Sequence, residues 1–167
     1  VGAGEVEAIR ASFDAWSRAA KVELTFSGTT NRADTGYDPR QGSANENVVR
    51  FARTKWEADR ATLAVTFTLY ETTSGKVISS DIVLNAVNYR WTTTGEAGME
   101  DVQNTVAHEA GHFIGLGHSD VREATMFPSA SHGETAKRTL DVDDVDGATA
   151  LYGVRTDAAS VGLASQP

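Results

Sequence analysis

His108, His112 and His118 stand at i, i+4 and i+10, and this spacing restricts how the chain around them can fold. Residues four apart share one face of an α-helix, so His108 and His112 can reach the same ion. Glu109 directly follows the first histidine, about 100° round that helix, where it can border the ion without binding it. Gly115 can adopt positive φ and end the helix, so the chain doubles back and His118 arrives as a third donor. Three neutral imidazoles leave one tetrahedral position open, which is the arrangement of a catalytic zinc rather than a structural one. A lone histidine here would read as an ordinary helix-packing residue. Three of the chain's 4 histidines fall in this stretch, with glutamate and glycine in register, and together they carry the metal reading.

A chain of 167 residues suits one domain with a real core. We read residues 1–153 as that domain and 154–167, small and weakly patterned, as a trailing tail or linker. A hydrophobic fraction of 40% fits a folded protein. The net charge of −8 argues against nucleic acid or an anionic membrane as partner. The chain has no cysteine, which rules out thiolate metal sites and disulfides. No apolar run reaches membrane-spanning length, and the first residues lack a signal-peptide profile, so an exported protein would be in its mature form.

Val6, Ile9, Phe13 and Trp16 have helical spacing and predict an amphipathic helix over Glu5 to Ala20. Val22 to Phe26 alternates and predicts a strand, and residues 27–46 a long surface loop. Further strands are expected at Val48 to Phe51, Leu63 to Tyr70 and Val77 to Ala86, with a turn at Ser74-Gly75. The histidine helix should run over roughly 99–114, and Asp141 should cap a last helix ending near Tyr152-Gly153. The order is that of an α+β fold.

The chain resembles the metzincin metalloproteases, and within them the matrixins. The resemblance rests on the histidine motif and extends further. Ile9 to Trp16 with Leu24 and Phe26 is similar to the family's first helix and next strand. Asp81-Ile82-Val83-Leu84-Asn85 is similar to its last sheet strand, and Ser119 follows the third histidine as in matrixins. Ala124-Thr125-Met126-Phe127-Pro128-Ser129 stands at the family's Met-turn, which implies that Met126 lies beneath the histidines. Residues Leu140 to Gly153 are similar to the closing helix.

The resemblance implies a twisted five-stranded sheet with two helices, a cleft, and a small C-terminal subdomain. It implies a secreted, monomeric endopeptidase acting on protein or peptide substrate. The substrate would extend along an edge strand, placed by position at Leu63 to Leu69, with Ala64, Val65 and Thr66 as contacts. Pro128, Ser129 and Ala130 open the segment to Glu134 that would line an apolar pocket on the leaving-group side. Three departures matter. Val65 and Val83 occupy the positions of two histidines that usually bind a second, structural zinc, so one zinc is expected and not two. The calcium loop is not recognisable and Asn85 replaces a usual aspartate, which leaves calcium open. Only Val1 to Gly4 precede the first helix, where matrixins place a strand, so the chain is trimmed or the sheet is one strand short. The missing metal loops resemble bacterial more than animal members.

In the expected chemistry Glu109 takes a proton as water attacks and passes it to the leaving amine. The alternatives are a catalytically weak zinc-containing binding module on the same scaffold, or a hydrolase of non-peptide amides. Glu109 weighs against the first, since holding zinc needs no base there. Asp143 and Asp144 read equally well as helix-start charges or as supports for the Met-turn. His132 reads as a surface histidine without a partner, and the loop 128–134 as supplying no basic charge to the pocket.

Overall fold

In the computed structural model, which describes residues 2–156, the first helix α1 spans Ala3–Ala19. Glu5 closes its start by accepting from the Gly2 N–H at 2.6 Å. Ala8, Ser12 and Trp16, four apart, form its buried stripe. Two of them lock α1 to the histidine helix α2 (Val102–Phe113): Ser12 Oγ donates to the Gln103 carbonyl at 3.0 Å, and Trp16 Nε1 to the Ala107 carbonyl at 2.9 Å. The last helix, α3 (Val142–Tyr152), starts at Asp141, which accepts from Asp143 N.

Three strands form the sheet: β1 (Val49–Ala52), β2 (Ala64–Tyr70) and β3 (Val77–Asn85). β3 is central, parallel to β1 and antiparallel to β2, so β2 is an edge. A separate two-residue pairing joins β4 (Trp91–Thr92) to β5 (Glu100–Asp101) in parallel. Ile82 and Leu84 point from β3 towards the helices, meeting Ala8, Val102 and Val106. A second cluster lies beyond α2, where Trp16, Ala110 and Ile114 pack on Met126 and Ala148. Phe13 and Phe113 link the two, edge to face at 5.1 Å.

The α+β class holds, with two corrections. The five-stranded sheet is, among the described residues, a three-stranded sheet and a two-residue pair. Val22 to Phe26 is no strand, although Val22 and Leu24 alternate inwards onto the second cluster. Alternation gives a strand only when a neighbour takes its backbone groups. Here Lys21 N instead donates to the Gly153 carbonyl at 2.9 Å, and Arg155 reaches the carbonyls of Ala20 and Val22. Of the expected tail, residues 157–167 lie outside the described residues.

The loop 27–46 does run over the surface, but it is pinned across the sheet. Asp81, fully buried on β3, accepts from Gly36 N at 2.6 Å and Val48 N at 2.7 Å.

Candidate active site

Asp101 caps α2, accepting from Asn104 N at 2.8 Å, and the helix carries His108, Glu109 and His112 towards the edge strand β2. The helix ends on Gly115, at φ 95°. Gly115 N donates to the His112 carbonyl and Leu116 N to the Gly111 carbonyl, both at 2.9 Å, which closes a Schellman turn. That turn reverses the chain and delivers His118. One nitrogen from each of His108, His112 and His118 comes together here, all three within 4.8 Å of one another.

The donor set fits zinc. His108 Nδ1 lies 2.7 Å from the Thr125 carbonyl and His112 Nδ1 2.8 Å from the Leu116 carbonyl. A carbonyl can only accept, so each Nδ1 carries the hydrogen and each Nε2 is left with its lone pair for a metal. His112 Nε2 and His118 Nε2 are 3.1 Å apart. Two nitrogens bound tetrahedrally to zinc would be about 3.3 Å apart. Burial, above all, lowers the His108 pKa to about 3, and burial likewise lowers that of His118, so both stay neutral as ligation requires.

Glu109 is 7% exposed, and burial raises its pKa to about 7, against the opposing pull of a Thr66 hydrogen bond and the charge of Lys137. Thr66 Oγ1 lies 2.5 Å from Glu109 Oε2 and 3.1 Å from the Glu109 carbonyl. Its hydroxyl therefore orients the carboxylate. The side chain of Ala64 is buried in the core at 6% exposure. Leu63 accepts from Asn85 N, and the antiparallel alternation from that bond turns the backbone groups of Ala64 and Thr66 to the free edge and those of Val65 to β3.

Met126 is 2% exposed and lies directly beneath α2. A Cβ on Gly111 would overlap Met126 Sδ and stand 2.9 Å from Trp16, so only glycine lets the turn approach this closely. The even reading of the two aspartates resolves by residue. Asp144 does both things, accepting from Thr125 N (2.7 Å), Met126 N (2.9 Å) and Asp141 N (2.8 Å). Asp143 accepts from Ser119 Oγ at 2.6 Å, next to the third histidine.

Pro128, Ser129 and Ala130 are exposed after the turn. His132 is on the surface but is not without a partner: its Nδ1 meets the buried carboxylate of Glu100, which ties the loop to β5. Lys137, 5% exposed on the 3₁₀ turn Ala136–Arg138, donates its Nζ to the Phe127 carbonyl. Val65 and Val83 are direct cross-strand partners. Asn85 is fully buried, its amide donating to the Thr62 carbonyl and its oxygen accepting from Asn88 N, both at 3.0 Å. Sequence could not single out Thr125 or Leu116, because they act through backbone carbonyls, nor Lys137, which looks like a charged residue in a polar turn.

A family model described as Matrixin matches residues 3–153. Neutrophil collagenase from Homo sapiens is 30% identical over 159 residues, covering 92% of this chain and 30% of that protein. Metalloendoproteinase 5-MMP from Arabidopsis thaliana is 47% identical over 53 residues, 32% of this chain and 14% of that protein. Matrilysin from Homo sapiens is 35% identical over 69 residues, 41% of this chain and 26% of that protein. The chain thus spans less than a third of the length of these relatives. A match running from the first turn of α1 to the end of α3, over a fold that gathers the three imidazoles, places the chain in the matrixin family.

Proposed function

We propose that this chain is a zinc-dependent endopeptidase domain, secreted and acting as a monomer on extended polypeptide. The observation that carries the reading is Glu109, a buried carboxylate next in sequence to His108 of the imidazole cluster and held by Thr66 of the edge strand β2. His108, His112 and His118 would hold the metal. Zinc, when bound, supplies Lewis acidity that polarises a peptide carbonyl and makes water easier to deprotonate. Glu109 accepts the water's proton at its carboxylate and returns it to the leaving amine. A substrate strand would pair with the outward backbone groups of Ala64 and Thr66, as β-augmentation requires.

One zinc per chain belongs to the same proposal. The paired Val65 and Val83 offer no donor for a second, and the amide at Asn85 is already engaged. On the leaving-group side, Pro128, Ser129 and Ala130 form an apolar or small-residue rim. Burying an apolar side chain there contributes roughly 1.5–3 kcal/mol, enough to favour Leu, Ile, Met, Phe or Tyr over Gly or Asp.

Cleavage of a denatured protein tests the reading. Activity should disappear with a chelator or a hydroxamate. Glu109→Ala should lose roughly 10²–10⁴-fold, the range for a general base, while keeping its zinc. A Glu109→Ala protein that cleaves like wild type would overturn the assignment. Wild type that holds zinc but cleaves nothing would point to the binding module instead.

A further inference from the structure

Upstream of β2 the chain walls an open groove, and any role of that groove in choosing substrate rests on the endopeptidase reading. A cavity of about 400 Å³ is lined by Asp59, Arg60 and Ala61 from this segment and by Asn88 and Tyr89 from the turn after β3. The two walls are tied together at the buried Asn85. Its amide donates to the Thr62 carbonyl at 3.0 Å and the Arg60 carbonyl at 3.4 Å, and its oxygen accepts from Asn88 N at 3.0 Å. The Tyr89 hydroxyl adds a bond to the Ala61 carbonyl at 3.0 Å. None of these bonds uses the guanidinium of Arg60.

That guanidinium is on an exposed residue and, among the described residues, has no carboxylate within ion-pair distance. The cations just before it in sequence differ: Lys55 pairs with Glu57, and Arg53 lies 3.9 Å from Glu5. Asp59, the carboxylate among the lining residues, is turned to its own backbone and accepts from Ala61 N at 2.7 Å. In a chain of net charge −8, an unmatched arginine on a groove is a feature that would recognise an anion.

Two observations place the groove along the cleft. Ala64 shares a core cluster with Val102 and Val106, Thr66 meets Glu109, and Thr68 Oγ1 lies 3.4 Å from the His112 carbonyl, so β2 and α2 run the same way. The segment 128–134, which rims the leaving-group side, is tied through His132 and Gly133 to Glu100 at the start of α2. The leaving-group side is therefore the end at which β2 begins. A peptide strand paired with the outward groups of Ala64 and Thr66 runs off that end over the groove. Thr66, at Glu109, marks the reacting carbonyl, and Arg60 stands 6 positions before it. Residues of a paired strand are about 3.4 Å apart, and an arginine side chain spans about two such steps.

We propose that Arg60 forms a subsite for a carboxylate, holding a glutamate or aspartate side chain at the third or fourth residue after the scissile bond. The planar guanidinium can donate two parallel N–H bonds to such a group. An amide in the same place accepts one of them and brings no charge. The groove thus adds a preference for acid well beyond the residue beside the cut, whose own pocket stays apolar.

The test uses the full zinc-loaded chain and one peptide, with glutamate exchanged for glutamine at one position at a time from the second to the fifth residue after the cut. In wild type the Glu/Gln ratio of kcat/KM should be about two- to fivefold at the third or fourth residue, the worth of an exposed ion pair. It should fall to about one in about 1 M salt. Arg60→Gln should bring the ratio to about one, and Arg60→Glu should bring it below one. The exposed side chain has no internal partner among the described residues, so neither change should disturb folding. A wild-type ratio of about one at both positions would overturn the proposal, as would a glutamate preference that survives in Arg60→Gln. A preference found only at the second or fifth residue would overturn it as well. Zinc-bound wild type that cleaves no peptide at all would take away the endopeptidase reading and this subsite with it.

Discussion

Two long irregular segments of this molecule each have backbone N–H groups fastened to a buried carboxylate, and they serve different ends. The loop 27–46 hangs from Asp81, which binds Gly36 N and Val48 N. The segment 119–140 hangs from Asp144, which binds Thr125 N, Met126 N and Asp141 N. No residue of the first segment is buried, whereas the second buries Ala124, Thr125, Met126 and Lys137. The second also presents the Thr125 carbonyl to His108. One carboxylate fastens a cover over the sheet, and the other sets the position of a metal ligand. Similar local chemistry acquires a functional role only through what the fastened segment touches.

The strongest way to break this comparison is Asp144→Ala. It would leave three backbone N–H groups without their acceptor, two of them on the buried residues Thr125 and Met126. At about 1–3 kcal/mol for each buried orphan, the loss should be several kcal/mol. Zinc affinity should fall about 10–100-fold as well, the usual effect of disturbing a ligand's support. Denaturant melts with and without zinc, and a chelator competition, measure both. Unchanged zinc affinity would mean that Thr125 does not set the His108 ring.

Asp81→Ala sharpens the contrast. It removes the acceptor of two N–H groups and should cost about 2–4 kcal/mol. Zinc affinity and the pattern of peptides cleaved should stay as they are in the folded fraction. A tenfold drop in zinc affinity would show that the loop and the metal site are coupled after all.

Gly111→Ala tests the contact between α2 and the Met-turn. The added Cβ must displace Met126 Sδ, and overpacking of this kind costs typically about 1–3 kcal/mol. Met126→Ala in the same chain should recover part of that loss by making room. If the double variant is no more stable than the sum of the two single changes, the clash is not the cause.

The smallest effect belongs to Tyr37→Ala in the pinned loop. Tyr37 is 38% exposed, and a substitution there should stay within about 0.5 kcal/mol and leave zinc binding untouched. A larger cost would mean that the loop is held by more than Asp81.

The chain's sequence determined the parts of the site that depend on local spacing. Helical periodicity brings His108 and His112 to one face, Gly115 ends the helix, and Asp141 starts the last one; all three follow from residues within a few positions of each other. The edge strand and the apolar faces of α1 were legible for the same reason. Val22 to Phe26 misled because alternation records which side chains face inwards, and says nothing of whether another strand is there to take the backbone. Tertiary structure alone decided the rest. Thr66 meets Glu109 across 43 residues, Asn104 meets Lys137 across 33, and Thr125 meets Asp144 across 19. Such contacts leave no periodic trace, because side chains and carbonyls distant in sequence become partners only once burial removes the water that would otherwise satisfy them.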